Sequence, residues 1–242
     1  MIIAHRGVSF NFPENSLPAF DASWELGVDG IEGDYHLTKD GEIVCIHDED
    51  TERVCKTKAI IHKSTLQDLK KLELYYEGDT SLNIKIPTLT EVIKTVPKGK
   101  KIFIEIKCGT EIVSPLLNQL LKFDMNSDEI VIISFHSEVI EKLKALNPEY
   151  KTQLLYSCEE NRDIDGLIDE ALKIKADGIS TDNEGSKSFV DKVISSDLEY
   201  HSWTIDDVDV ASQLIQWGSR SITTNDPESI IKKIASQRKY IP

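Results

Sequence analysis

The chain has no apolar run approaching the ~18 residues of a membrane-spanning helix, which excludes an integral membrane helix. Positive charge is also in short supply: 28 Lys and Arg stand against 42 Asp and Glu, a formal net charge of −14. A phosphate backbone needs a basic footprint, so no nucleic-acid partner is expected. Stable adsorption to anionic lipid is disfavoured on the same ground. The opening Met1-Ile2-Ile3-Ala4-His5 lacks the basic segment, long apolar stretch and small-residue cleavage site of a secretory leader, so the expected location is cytoplasmic. Cysteine is scarce, and Cys45, Cys55, Cys108 and Cys158 show neither CxxC nor zinc-ligand spacing. Cys45 falls in a strand and Cys108 directly after one, where cysteine behaves as a small hydrophobe. Free thiols in a reducing compartment are expected. Internal repeats, low-complexity tracts and interdomain linkers are all missing.

What is present is a long alternation of strands and helices. The first strand, at Ile2-Ile3-Ala4, is followed by a helix with Asn15 or Ser16 as its cap and Pro18 in its first turn. Leu17, Phe20 and Trp24 form its apolar stripe and Gly27 stops it. Further strands start near 30, 102, 130, 153, 178, 199 and 221, with helices predicted over 88–95, 110–123, 137–146, 164–175, 186–195 and 207–217, and from about 227. Residues 49–86 interrupt the pattern with Lys56, Lys58, His62 and Lys63, an amphipathic piece around Leu66, Leu69 and Leu72, and a polar turn near Gly78. Eight parallel strands with intervening helices predict an α/β fold, a (β/α)8 TIM barrel. It would be one domain over 1–242 with a small excursion after the second barrel strand.

The candidate chemistry is concentrated in the first fifty residues. In Gly30-Ile31-Glu32-Gly33-Asp34-Tyr35-His36-Leu37-Thr38 alternate side chains share a face, so Glu32 and Asp34 point the same way. Lys39-Asp40-Gly41 is a turn signal, and Glu42-Ile43-Val44-Cys45-Ile46 returns as a second strand. A hairpin centred on Asp40 pairs 38 with 42, 36 with 44 and 34 with 46, and brings His47 back beside Gly33 and Asp34. Glu105 joins them from the next barrel strand, and Lys107 shares its face. Carboxylates select a hard cation, Mg²⁺ or Ca²⁺. Acids at strand ends often just face solvent, but three converging on one barrel mouth would repel without a cation. His5 and His47 can move protons near neutral pH. Arg6 either pairs with an acid such as Glu14 or Glu32, or clamps a phosphate with its bidentate guanidinium. Trp203 is either plain packing or an apolar wall of the site. His36 is a further possible ligand or a polar strand residue, and Asn15 either caps the helix or supports the site.

These residues carry a resemblance. His5-Arg6-Gly7, Pro13-Glu14-Asn15-Ser16 with Ala19-Phe20, Glu32 and Asp34, Thr38-Lys39-Asp40-Gly41 and His47-Asp48 with Arg53 resemble the glycerophosphodiester phosphodiesterase family. So do Ile86-Pro87-Thr88-Leu89, Glu105-Ile106-Lys107, Ser134-Phe135 and Trp203-Thr204, in that order along nearly the whole chain. The resemblance implies the same barrel, metal ligands at Glu32, Asp34 and Glu105, and a catalytic pair at His5 and His47. It also implies phosphate contacts from Arg6, supported by Lys107, with Trp203 against a glycerol backbone. The implied reaction is metal-dependent hydrolysis of a small glycerophosphodiester, such as a deacylated phospholipid, to glycerol 3-phosphate and an alcohol.

Two alternatives accompany it. One is a related lyase acting on lyso-phospholipids or sphingolipids to give a cyclic phosphate, which would want an apolar lip rather than the charged excursion. The other is a silent barrel that only binds a phosphodiester, which should have lost at least one of these groups. The sequence departs from the family pattern in two places. Thr224-Asn225-Asp226-Pro227 carries an amide where the family usually has an acid, a change expected to alter local support only. Gly33 is small where the family often has a bulkier residue.

Overall fold

The computed structural model describes residues 1–76, 83–157, 163–182 and 186–238; the predicted turn near Gly78 and the thiol of Cys158 lie outside them. Among the described residues, nine strands form one sheet: β1 (Ile2–His5), β2 (Gly30–Leu37), β3 (Ile43–Cys45), β4 (Lys101–Ile106), β5 (Ile130–Ser134), β6 (Lys151–Tyr156), β7 (Gly178–Thr181), β8 (Glu199–Ser202) and β9 (Ser221–Thr224). All except β3 pair in parallel, and β1 pairs with both β2 and β9, which closes an eight-stranded barrel. β3 is the antiparallel return of the hairpin, in the register read from the sequence: His36 opposes Val44, and the amides of Thr38 and Ile46 bond the carbonyls of Glu42 and Asp34.

Alternation along each strand sorts the side chains into two sets. One set, with Ala4, Ile31, Ile102 and Ile104, packs against the surrounding helices. The other points inward, where Ile3, Phe103, Val131, Ile133 and Leu155 fill the barrel and Trp203 packs on them. Following the second set to the C-terminal strand ends gives His5, Glu32, Asp34, Glu105 and Lys107. The apolar filling thus ends in a polar layer at the barrel mouth, where sites of this fold are built.

Helix α1 (Leu17–Glu25) is capped by Ser16, whose Oγ accepts from the Ala19 amide at 3.3 Å, which frees Asn15 for another role. Gly7 adopts φ +83° where its loop touches α1; a Cβ there would lie 2.6 Å from backbone and side-chain atoms of Ala19. The helix predicted over 110–123 divides into a single 3₁₀ turn, Thr110–Ile112, and an α-helix, Val113–Leu120. Pro115 has no N–H to bond back to residue 111, so the α pattern begins only at Val113. The excursion carries short helices, Glu52–Cys55 and Leu66–Leu69, and a small core of its own, in which Val54, Ile61, Leu69, Leu74 and Ile86 pack on Val44 and Ile46. Among the described residues, no helix is long and apolar enough to cross a membrane.

Candidate active site

The parallel registers set His5 opposite Glu32 and Asp34 opposite Glu105. Glu32, Asp34 and Glu105 are all buried, and one oxygen from each lies within 4.8 Å of the others, a grouping that can hold a metal ion. The grouping disfavours the charged form of two of the three. Burial and the neighbouring charges of Asp34 and Glu105 push the Glu32 carboxyl well above its usual range. Burial and Asp34 raise Glu105 to about 7. Burial would raise Asp34 too, but the Arg6 and Lys107 charges hold it below its ordinary value. Glu32 Oε1 and Asp34 Oδ1 are buried and accept no hydrogen bond. Oxygens of this kind carry a desolvation cost unless something positive faces them, so the three residues fit a hard cation with oxygen ligands.

Each remaining group is fixed by a partner. Asp34 is locked by Asn15, whose Nδ2 donates to Asp34 Oδ2 (2.8 Å) and whose Oδ1 accepts from the Asp34 amide (3.2 Å) and from Cys45 Sγ (3.1 Å). Gly33 lies between the acids because the space above it is taken: a Cβ would meet Cys45 Sγ at 3.0 Å and Phe20 and Tyr35 at 3.2 Å. Arg6 binds Glu14 Oε1 (3.0 Å) and Asp34 Oδ2 (3.1 Å), and its backbone N–H donates to Glu32 Oε2 (3.1 Å). Lys107 Nζ lies 2.7 Å from Glu105 Oε1 and 3.8 Å from Asp34 Oδ1. Although burial opposes its charge, Glu105 and Asp34 keep the ammonium above its usual range.

The two histidines face this cluster from opposite elements. His5 Nε2 is 3.9 Å from Glu32 Oε2, and burial, reinforced by Arg6, pulls the imidazole below its usual range. His47 Nε2 is 3.2 Å from Lys107 Nζ, while its Nδ1 bonds Asp48 Oδ1 at 2.7 Å. Asp48 is clamped by Arg53 (2.6 Å), and Arg53 in turn binds both oxygens of Glu14 at 2.7 and 2.8 Å. Burial pushes Asp48 up, but its bonds to Arg53 and His47 prevail and hold it at about 2. Arg6 and His47 are thereby tied to one Glu14–Arg53–Asp48 chain.

All eight residues singled out in the sequence border this region. Trp203 stands edge-on to Phe135 (centroids 5.6 Å apart), donates Nε1–H to the Ser180 carbonyl (3.1 Å) and lines a small cavity with His5, Glu32 and Glu105. His36 is not among the grouped metal-binding residues; its Nε2 meets the His47 carbonyl at 3.0 Å and ties the hairpin shut. His201 lies with the strand starts at the other end of the barrel, against Ser221 (2.7 Å) and Glu199 (3.4 Å). One expectation needs correction. Asn225 is more than local support, because its Oδ1 lies 2.7 Å from His5 Nδ1. The signal was available: period two from Ser221 and Thr223 carries Asn225 onto the inner face, and closure of β9 against β1 brings it beside His5.

A pH prediction follows from the carboxyls. Glu32 and Glu105, both raised, must lose protons before a cation can bind, so the cation competes with protons at low pH. The rise in thermal midpoint produced by Mg²⁺ or Ca²⁺ should therefore be small near pH 5 and grow toward pH 8, and Glu105→Gln should flatten that growth. Differential scanning fluorimetry with and without the ion reads it. An increment constant from pH 5 to 8 would contradict the raised carboxyls.

The chain also matches known proteins. A family model described as the glycerophosphoryl diester phosphodiesterase family matches residues 5–229. The chain is 34% identical, over 97% of its own length and 97% of the relative's, to a glycerophosphodiester phosphodiesterase of Caldanaerobacter subterraneus subsp. tengcongensis. Among solved structures it is similar to a Thermotoga maritima glycerophosphodiester phosphodiesterase (26% identity, TM-score 0.79, 96% of each chain). An Oleispira antarctica phosphodiesterase solved with its product sn-glycerol-3-phosphate shares the fold (24% identity, TM-score 0.85, 97% and 96% covered).

Proposed function

The chain belongs to the glycerophosphoryl diester phosphodiesterase family, and from that premise we infer that its barrel mouth hydrolyses a small glycerophosphodiester to sn-glycerol 3-phosphate and an alcohol. The observation that carries this reading is the buried triad Glu32, Asp34 and Glu105, with two carboxylate oxygens lacking hydrogen bonds, set between His5 and His47. We assign the triad to one divalent cation, Mg²⁺ or Ca²⁺. When bound, that ion supplies charge stabilisation to the phosphoryl oxygens.

The chain's own residues do the rest. Arg6 and Lys107 are oriented toward the triad by Glu14, Asp34 and Glu105, and they exchange part of that pairing for the non-bridging oxygens of the phosphate. One histidine takes the proton of the attacking hydroxyl and the other gives one to the departing alkoxide. Trp203, held by Ser180 and Phe135, presents an apolar wall to the glycerol carbons. All five ligand and histidine positions are filled, which argues against a silent binding barrel. We further read the protein as cytoplasmic and residues 1–242 as one catalytic domain.

The test is purified protein incubated with a panel of glycerophosphodiesters and Mg²⁺ or Ca²⁺, with sn-glycerol 3-phosphate as the readout. Release from at least one head group is expected. Release of a stable cyclic phosphate from lyso-phospholipid alone would point to the lyase instead.

A further inference from the structure

His5 and His47 do not have equivalent partners. His47 Nδ1 rests on a carboxylate, Asp48. His5 Nδ1 rests on an amide, Asn225, at 2.7 Å. The orientation of an amide has to be inferred from its surroundings, and here the surroundings determine it. Asn225 Nδ2 lies 2.8 Å from Asp206 Oδ2, and the Asn225 backbone N–H donates to Asp206 Oδ1, also at 2.8 Å. The same Oδ1 accepts from Thr224 Oγ1 at 2.9 Å, so Asp206 is itself held in place. Turning the amide over would set its carbonyl oxygen against the Asp206 carboxylate, two acceptors with no proton between them. Asn225 Oδ1 therefore faces His5, where it also accepts from Ser9 Oγ at 2.9 Å.

An oxygen that can only accept requires a proton on the nitrogen opposite. His5 Nδ1 must be the N–H, and in the neutral ring Nε2 then carries the bare lone pair. That nitrogen is the one turned toward Glu32 and the cluster. Building on the function read above, we propose that Asn225, fixed by Asp206, is the positioning residue that holds His5 in its Nδ1–H tautomer, so that Nε2 enters the reaction as the proton acceptor. The balance is then complete. Nε2 of His5 takes the proton of the attacking hydroxyl as its oxygen bonds to phosphorus. The opposite P–O bond breaks, and the leaving alkoxide takes a proton from His47. Exchange with solvent resets both rings.

The direct test is the tautomer in the unmutated, cation-loaded enzyme, read by long-range ¹H–¹⁵N correlation on ¹⁵N-histidine-labelled protein and assigned with His5→Ala. The expected spectrum has His5 protonated on Nδ1 and bare on Nε2. The proton found on Nε2 alone would overturn the proposal, and in an active enzyme it would leave the hydrolase reading intact. Kinetics give the second arm. Asn225→Ala should lower kcat by about 10–100-fold, the usual range for losing such a support, with KM little changed. Asn225→Asp keeps an acceptor opposite Nδ1 but sets a carboxylate oxygen against Asp206 Oδ2, so it is paired with Asp206→Asn, which restores a donor there; that double variant should recover most of the loss. A folded Asn225→Ala protein with wild-type kcat would also overturn the proposal.

Discussion

Replacing His47 by alanine is expected to lower kcat by roughly 10²–10⁴-fold, the usual contribution of a positioned acid or base, with a much smaller change in KM. The difference follows from what each group holds. His47 reaches the site from the end of a three-residue strand, and its ring is fixed by Asp48 and, through Arg53, by Glu14. Removing it takes away a proton carrier but leaves in place Arg6 and Lys107, proposed to grip the phosphate, and the carboxylates proposed to hold the cation. His5→Ala should show the same pattern, since its support from Asn225 is likewise separate from the phosphate-binding groups. Circular dichroism and the thermal midpoint would confirm that the variants fold. If His47→Ala retained near wild-type kcat, the hairpin would bring this imidazole to the site for some reason other than catalysis.

Removing a carboxylate should act on the cation first. Glu32→Gln, Asp34→Asn and Glu105→Gln are each expected to weaken cation affinity by more than the ~10–100-fold typical of losing an outer partner. Calorimetric titration and the cation dependence of turnover both read this. Asp34→Asn should be the most severe. Its carboxylate is wholly buried, faces the Arg6 and Lys107 charges and accepts from Asn15, so the change leaves two cations short of a counter-charge as well as removing a ligand. Glu105→Gln should be the mildest and recoverable at high cation concentration, because Glu105 is the least buried of the three and its ion pair is with Lys107. Equal affinities in all three variants and the wild type would remove the triad as the cation site.

Much of this site could be read from the chain because its parts are local. The pairing of 36 with 44 and the return of His47 need only a turn at Asp40 and period two, and the structure has that register. The common face of Glu32 and Asp34, and of Glu105 and Lys107, needs no more. The residues that escaped notice, or were given too small a part, depend on closure of the barrel or on ion pairs between distant loops. Asn225 touches His5 across 220 positions because β9 pairs with β1. The Glu14–Arg53 pair joins the first loop to the excursion across 39 positions. Asn15 could be read either as a helix cap or as support for the site, and the structure gives the cap to Ser16. Periodicity assigns a side chain to a face, but it does not say which side chain from another strand it will meet.

The account depends on the buried carboxylates holding the cation that hydrolysis requires. The most direct test is to strip the purified protein with excess chelator and follow sn-glycerol 3-phosphate release from a glycerophosphodiester before and after Mg²⁺ or Ca²⁺ is restored. Turnover should vanish on chelation and return with the ion in wild-type protein, but not in Asp34→Asn at the same cation concentration. Undiminished release in excess chelator would contradict the account.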